Sequence, residues 1–276
     1  MMSRSHTLVI AIVMLLLIIM GAAAMHLNGL ALKQIVPNFA AWAIGAAGCC
    51  GLRKIKITPR RDQIAVVALT LALAATFIGA GQSGVHRWLY AGPITINVAA
   101  IVLPSFIVLL ARLALNWATA MSALIPTILI AQPDASQASG FAAACIALFL
   151  TRHPASGLAA AVLGSLVIVG TWMRSDPLQG VPEVEGIVAL GFEAAPALGF
   201  AMLFGLIIFC CLPIWLARLK GDSAAGLLLS LYLAGISAAS IFGEFPVPFI
   251  GLGMSFPIGL WLAIGLLRPN VENDRI

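Results

Sequence analysis

The chain has 276 residues, of which 62% are hydrophobic and only 9% are charged, and its mean hydropathy is +1.07. These fractions lie far outside those of a water-soluble globular domain, so a soluble fold is excluded. The net charge of +5 does not indicate a nucleic-acid partner, because the basic residues are scattered between apolar runs instead of forming one stripe.

Apolar runs separated by charges, prolines or glycines predict an all-α polytopic membrane protein with about ten transmembrane helices. We expect one integral membrane domain over residues 1–276. The run Leu8–Met20 follows Arg4 like the core of a signal peptide, but with so many later spans we expect a retained helix. The predicted spans lie near residues 7–27, 35–51, 64–81, 95–111, 118–131, 137–151, 155–172, 187–216, 223–241 and 249–267.

The fifth and sixth predicted spans are short and are interrupted by Pro126 and Pro133. A re-entrant pair of half-helices is therefore an alternative to two full crossings, and it would reduce the total to eight.

The basic residues predict the orientation. With the N-terminus in the cytoplasm, 12 of them fall on the inner side and 3 on the outer side, so the positive-inside rule predicts two cytoplasmic termini in a bacterial inner membrane. The inner residues are Arg4, Arg53, Lys54, Lys56, Arg60, Arg61, Arg112, Arg152, Arg218, Lys220, Arg268 and Arg275, and the outer ones are Lys33, Arg87 and Arg174.

Carboxylates show the opposite preference and gather at the predicted outer face. Carboxylates at membrane depth are costly to bury, which makes them candidates for a functional site. They are Asp134, Asp176, Glu183, Glu185 and Glu244, and Glu193 lies within an apolar run. The five cysteines all lie in apolar segments without metal-ligand spacing, so we expect buried thiols and no metal site.

Three short segments have the residue types of a binding site. Gly84–Leu89 contains Arg87 and Trp88 between two spans, which suits either an interfacial anchor or a cation that holds a lipid phosphate. In Gln132-Pro133-Asp134, the Asp is either a helix cap or a carboxylate facing a groove.

The third segment, Phe245–Ser255, contains two prolines and two glycines before an apolar run. These residues prevent a regular helix, so we expect an unwound stretch that is buried in protein or lines a cavity. The alternative is a sharp outer turn before an ordinary span.

In this order, these segments resemble motifs of the SEDS family of cell-shape, division and sporulation proteins (FtsW/RodA/SpoVE). The family carries Gly-x-x-Arg-Trp-Leu after its third span, Gln-Pro-Asp after its fifth, and a Pro- and Gly-rich segment before its last. Val181-Pro182-Glu183 is similar to the Leu-Pro-Glu before the family's eighth span. The resemblance covers most of residues 84–268.

The resemblance implies a peptidoglycan glycosyltransferase that polymerises lipid II at the outer face of the membrane, in cell elongation or division. It further implies a transpeptidase partner and no cofactor, because the donor carries its own diphosphate leaving group. Substrate-binding candidates are Arg87, Trp88, Gln132, Asp134, Arg174 and Ser255.

The chain departs from the family pattern where catalysis is expected. The family's essential Asp lies a few residues after Leu-Pro-Glu, and Ile187 and Val188 stand there instead. The outer loop from Met173 to Gly186 is also short, and Asn97–Ala100 replaces a polar family cluster. Glu185, or else Glu183, is the substitute base, and their i, i+2 spacing allows only one of them to face a cavity.

The sequence is compatible with three functions. The first is a divergent SEDS glycosyltransferase, and the second is a non-catalytic scaffold, or a binder or carrier of a lipid-linked precursor. The third is a small-solute transporter, although no inverted repeat is visible.

Overall fold

The computed structural model of the chain describes residues 4–55, 58–79, 81–92 and 94–267. Within these ranges the chain forms eleven α-helices and one β-hairpin. The first helices are α1 (Arg4–Leu27), α2 (Leu32–Leu52), α3 (Pro59–Ala74, extended by the 3₁₀ helix Ala75–Ile78), α4 (Val98–Leu110), α5 (Leu115–Ala131) and α6 (Ala135–Arg152). The others are α7 (Pro154–Trp172), α8 (Ile187–Ala194), α9 (Pro196–Lys220), α10 (Ser223–Phe242) and α11 (Ser255–Leu266), and the strands are β1 (Trp88–Ala91) and β2 (Ile94–Asn97).

Helices stand at all ten predicted spans, and the prediction of a polytopic helical membrane protein is confirmed. Five helical segments are long and apolar enough to cross a membrane: Thr7–Leu27, Leu32–Leu52, Pro59–Ile78, Pro196–Leu219 and Ser223–Phe242. Helices α5 and α6 have 17 and 18 residues and are joined by the Gln132–Asp134 turn. At 1.5 Å per residue each is close to the thickness of the hydrocarbon core, which favours two crossings over a re-entrant pair.

The eighth and tenth predicted spans differ from the helices that form. The span at 187–216 is two helices that meet at Ala195, which is extended (φ −167°, ψ 134°) because the ring of Pro196 disfavours a helical residue before it. Gly191 of α8 contacts Met202 of α9, so the two helices fold back on each other as a helical hairpin. The last span begins at Ser255 instead of residue 249.

The all-α prediction also missed the β-hairpin. Strands β1 and β2 pair antiparallel with Trp88 opposite Asn97, so residues 95–97 of the fourth predicted span are strand and α4 starts at Val98. The side chain of Asn97 accepts a hydrogen bond from the Ala100 amide and caps α4. The hairpin therefore places Arg87 and Trp88 next to the start of α4.

Helix α4 lies at the centre of the bundle, where every one of its residues except Ile101 is buried. Helix α11 packs against it at Gly259, where a Cβ atom would lie 2.1 Å from the Ala100 carbonyl oxygen. This glycine therefore sets the distance between the two helices, as small residues do in membrane bundles.

Basic side chains mark one end of the bundle, which we call the basic end. Arg112 donates to the Asp222 carboxylate at 2.5 Å and to the Leu266 carbonyl at 2.7 Å, which ties α4 to the start of α10 and the end of α11. Arg152 donates to the Leu113 carbonyl at 2.8 Å at the same end. The positive-inside rule predicts that this end faces the cytoplasm. Lys56, Arg268 and Arg275 of the predicted inner set lie outside the described residues, as do both chain termini.

The unwound segment predicted before the last span is confirmed. No helix forms between Gly243 and Met254, and Phe245, Val247, Phe249 and Ile250 are buried. The buried Asn38 of α2 donates to the Gly251 carbonyl and accepts from the Gly253 amide, both at 3.0 Å. The backbone of the unwound segment also pairs with the loop before α8. The Val247 amide donates to the Val184 carbonyl, and the Leu252 amide donates to the Glu183 carbonyl. The free backbone groups are therefore satisfied within the protein, as burial requires.

Candidate functional site

Arg87 lies at the other end of the bundle, opposite the basic end. We call this other end the acidic end. Only 5% of its surface is exposed, and its guanidinium is enclosed by the turn between α5 and α6. Nε donates to the Gln132 carbonyl at 3.3 Å and Nη2 donates to the Pro133 carbonyl. The Gln-Pro-Asp turn therefore holds Arg87 through its backbone oxygens.

Two carboxylates balance the charge of Arg87. Asp176, in the loop after α7, accepts from Nη2 at 2.5 Å, and Asp134 lies 3.9 Å from Nε. The rings of Trp88 and Phe245 are 5.9 and 5.7 Å from the guanidinium carbon, in the range of cation–π contact. Arg87 is thus paired and enclosed on several sides.

A cavity of about 130 Å³ opens beside Arg87, and we call it the carboxylate cavity. It brings Arg87 and Trp88 together with Asp134, Glu185 and Glu244, from four different segments of the chain. Its polar lining consists of Gln82, Arg87, Asn97, Asp134, Ser136, Gln137, Asp176, Gln179, Glu185 and Glu244.

Glu185 lines this cavity and Glu183 does not. The Glu185 carboxylate accepts a hydrogen bond from the Val181 amide at 2.7 Å. Burial raises the pKa of Glu185, and the nearby Glu244 raises it further, while the hydrogen bond from Val181 and the charge of Arg87 oppose the shift. A raised pKa suits a carboxylate that takes up a proton near neutral pH.

Asp134 combines both predicted roles. It is the N-cap of α6, where its side chain accepts from the Gln137 amide at 3.2 Å, and it also lines the carboxylate cavity. Burial raises its pKa, and the positive charge of Arg87 acts against that shift.

A second cavity of about 310 Å³ adjoins the first, and both are lined by Asp176, Leu178 and Glu244. We call it the Arg174 chamber, because the exposed Arg174 lines it and donates to the Ile130 carbonyl at 2.9 Å. Together the two spaces reach the size of small-molecule sites, which is roughly 300–1,000 Å³.

Besides Glu183, two candidate residues, both predicted to bind substrate, lie outside both cavities. Gln132 is fully buried and donates to the Thr76 hydroxyl at 2.7 Å and to the Leu73 carbonyl at 3.2 Å, so its side chain fixes the end of α3. Ser255 accepts from the Asn97 amide at 3.0 Å and thereby links α11 to the hairpin. Glu193 is exposed at the end of α8 and does not line either cavity.

Several lining residues were not among the predicted site residues. Asp176 and Glu244 had a signal, because both are carboxylates at the predicted outer face. Ser136 and Gln137 had no signal beyond their position after the Gln-Pro-Asp turn, and Gln82 belongs to no motif. Asn97 is the last residue of β2 and begins the stretch that replaces a polar family cluster. In the described part of the chain, no three His, Cys, Asp or Glu side chains are arranged to hold a metal ion.

Comparisons with known proteins identify the fold. No protein-family model and no curated sequence matches the chain significantly. Among solved structures, the rod shape determining protein RodA of Thermus thermophilus superimposes with a TM-score of 0.68 at 17% identity, over 96% of each chain. An Asp-to-Ala variant of that protein gives 0.68 at 16% identity, over 96% of this chain and 97% of that one.

A third structure, of a peptidoglycan synthase complex that coordinates polymerization and crosslinking, gives a TM-score of 0.65 at 17% identity, over 96% of this chain and 97% of that one. These alignments span nearly the whole chain, so the likeness is not limited to a shared subset of helices. The SEDS resemblance of the motifs is confirmed at the level of the fold, and the chain folds as a multi-pass membrane protein of the RodA type.

Proposed function

We propose that the protein binds lipid II at the acidic end of its bundle, on the outer face of a bacterial inner membrane, and transfers its glycan to a growing chain. The observation that carries the proposal is the convergence of Glu185, Asp134 and Arg87 on one cavity. Had these side chains faced separate surfaces, an enzymatic role would have had no site. The RodA fold adds support, since one similar structure belongs to a peptidoglycan synthase complex.

In this proposal Glu185 is the general base. It accepts the proton of an acceptor hydroxyl, whose oxygen forms a bond to the anomeric carbon of the donor sugar. The bond between that carbon and the diphosphate oxygen breaks, and the polyprenyl diphosphate leaves with the electron pair. Arg174 is exposed in the adjoining chamber and supplies the positive charge for the leaving group, whereas Arg87 holds the cavity wall.

A second candidate function is binding or carrying of lipid II without catalysis. It is favoured by Ile187 and Val188 at the position of the family Asp, and by the Val181 amide that already occupies the Glu185 carboxylate. In either case we propose that a cell-wall transpeptidase associates with the protein, by analogy with the crosslinking activity of the similar complex.

Polymer formation from labelled lipid II by the purified protein in lipid nanodiscs tests this proposal. We expect Glu185→Gln to lower the rate by about 10²-fold or more, which is the usual contribution of a general base, while lipid II binding persists. Glu193→Gln removes a carboxylate outside both cavities and should have full activity.

Three results separate the alternatives. Full activity of Glu185→Gln would contradict the role of Glu185, and loss of activity in Glu183→Gln alone would move that role to Glu183. Binding of lipid II by the wild-type protein without any polymer would favour the binder.

A further inference from the structure

The hydroxyl group of Ser136 is buried in the carboxylate cavity without a partner. Ser136 is the second residue of α6, only 2% of its surface is exposed, and it lines the cavity. Its Oγ has no hydrogen-bond partner among the described residues. Buried polar groups are almost always bonded, so an unbonded hydroxyl in a cavity wall indicates a group that a ligand satisfies.

Ser105 differs from Ser136 in its location relative to the cavities. Ser105 is also a buried serine whose hydroxyl has no partner within the described ranges, but it lies on the central helix α4 and lines neither cavity at the acidic end. A ligand in the carboxylate cavity reaches Ser136 and not Ser105. The two serines therefore form a matched pair for mutation.

The other lining groups define the chemistry of this ligand. Four carboxylates, those of Asp134, Asp176, Glu185 and Glu244, face the space beside the single cation Arg87, which is already paired. An excess of negative charge disfavours an anion such as a diphosphate. Carboxylates accept hydrogen bonds, so of the two polar parts of the lipid, the neutral sugar with its O–H and N–H donors fits this cavity better than the diphosphate.

We infer that the carboxylate cavity recognises the neutral sugar of the bound lipid, and that Ser136 hydrogen-bonds one hydroxyl or amide group of that sugar. The diphosphate lies outside this cavity, beside the exposed Arg174 in the Arg174 chamber, whose wall carries two carboxylates, Asp176 and Glu244, instead of four. The inference rests on the proposed function, and it assigns the sugar and the diphosphate of lipid II to different cavities.

Gln137 extends the same wall. The hydroxyl of Tyr232 on α10 donates to its side-chain oxygen, which leaves the amide nitrogen of Gln137 as the group to bond a ligand. Its backbone amide is fixed by Asp134, so this part of the wall is held from two sides. A rigid wall of this kind lowers the entropic cost of binding a sugar.

Binding to wild-type protein, Ser136→Ala and Ser105→Ala in nanodiscs tests the inference with two ligands, lipid II and polyprenyl diphosphate without sugar. We expect Ser136→Ala to bind lipid II about five- to tenfold more weakly, the effect of one lost hydrogen bond, and to bind polyprenyl diphosphate as the wild type does. Ser105→Ala should match the wild type for both ligands. Neither variant should unfold at a lower temperature than the wild type when no ligand is present, because each loses only an unbonded hydroxyl.

The outcomes distinguish the inference from the proposed function. If the wild type prefers lipid II over polyprenyl diphosphate and Ser136→Ala keeps that preference, the inference is wrong and the proposed function stands. If the wild type binds both ligands equally, no sugar is recognised and both fail. Ser136→Cys keeps the size of the side chain but has a weaker donor, so it should weaken lipid II binding less than Ser136→Ala does. If Ser136→Ala does not fold, Ser136→Cys takes its place in the experiment.

Discussion

Glu185 is the side chain on which the proposed chemistry depends most, and the loop that contains it determines its position. It follows the Val-Pro-Glu motif by two residues, and the loop that contains it pairs with the unwound segment before α11. That pairing turns Glu185 towards the cavity, while the carbonyl of Glu183 bonds the Leu252 amide. The i, i+2 spacing predicted that only one carboxylate would face the site, and the loop packing determines which one.

The raised pKa of Glu185 gives a pH dependence of stability. Burial raises the pKa above the ordinary 4.5, so the folded protein binds this proton more tightly than the unfolded chain does. The contribution of Glu185 to stability is therefore fully present below its ordinary pKa and declines as the pH rises through the raised value. Glu185→Gln removes that decline, so we expect the variant to gain unfolding temperature relative to the wild type as the pH increases from about 4 to 8.

Thermal unfolding in detergent micelles across this pH range measures the effect, with Glu193→Gln as the control for loss of a carboxylate at an exposed position. Parallel curves for the wild type and Glu185→Gln would contradict the raised pKa.

Among the elements, the segment from Gly243 to Met254 shows what local sequence predicts and what it does not. Its prolines and glycines are enough to exclude a helix, so its unwound course was predictable. Its partner was not predictable, because Asn38 is 213 residues away from Gly251 in the sequence and lies in a mostly apolar helix. The break at Ala195 had a local signal in Pro196, but the apolar composition on both sides favoured one continuous span.

Asn38→Ala should destabilise this element. The change removes the donor to the buried Gly251 carbonyl and the acceptor for the Gly253 amide, and it should cost about 1–3 kcal/mol for polar groups left unbonded. The free energy or midpoint of unfolding in micelles measures the loss. Asn28→Ala is the matched control, because Asn28 bonds the Leu190 carbonyl at an exposed position and its loss should change stability by less than about 0.5 kcal/mol. Equal stability of the two variants would contradict a structural role of Asn38.

For the whole molecule, the distribution of charge relates the fold to the site. Arg53, Arg112 and Arg152 bond side chains or carbonyls at the basic end, and the carboxylate cavity lies at the opposite end. Counting charges along the sequence predicted this separation, because each helical crossing reverses the direction of the chain. Charge counting could not predict the convergence of four separate segments around Arg87, since it depends on side-chain contacts between residues as far apart in the sequence as Arg87 and Phe245.

The most direct test of the central claim is photo-crosslinking of radiolabelled lipid II to the protein in lipid nanodiscs. A benzophenone side chain replaces Leu178, which lines both cavities, or Leu219, which is exposed near the basic end. We expect strong labelling at position 178 that unlabelled lipid II competes away, and only weak labelling without competition at position 219. Labelling of equal strength at the two positions, or none at position 178, would contradict binding of the lipid-linked glycan at the acidic end.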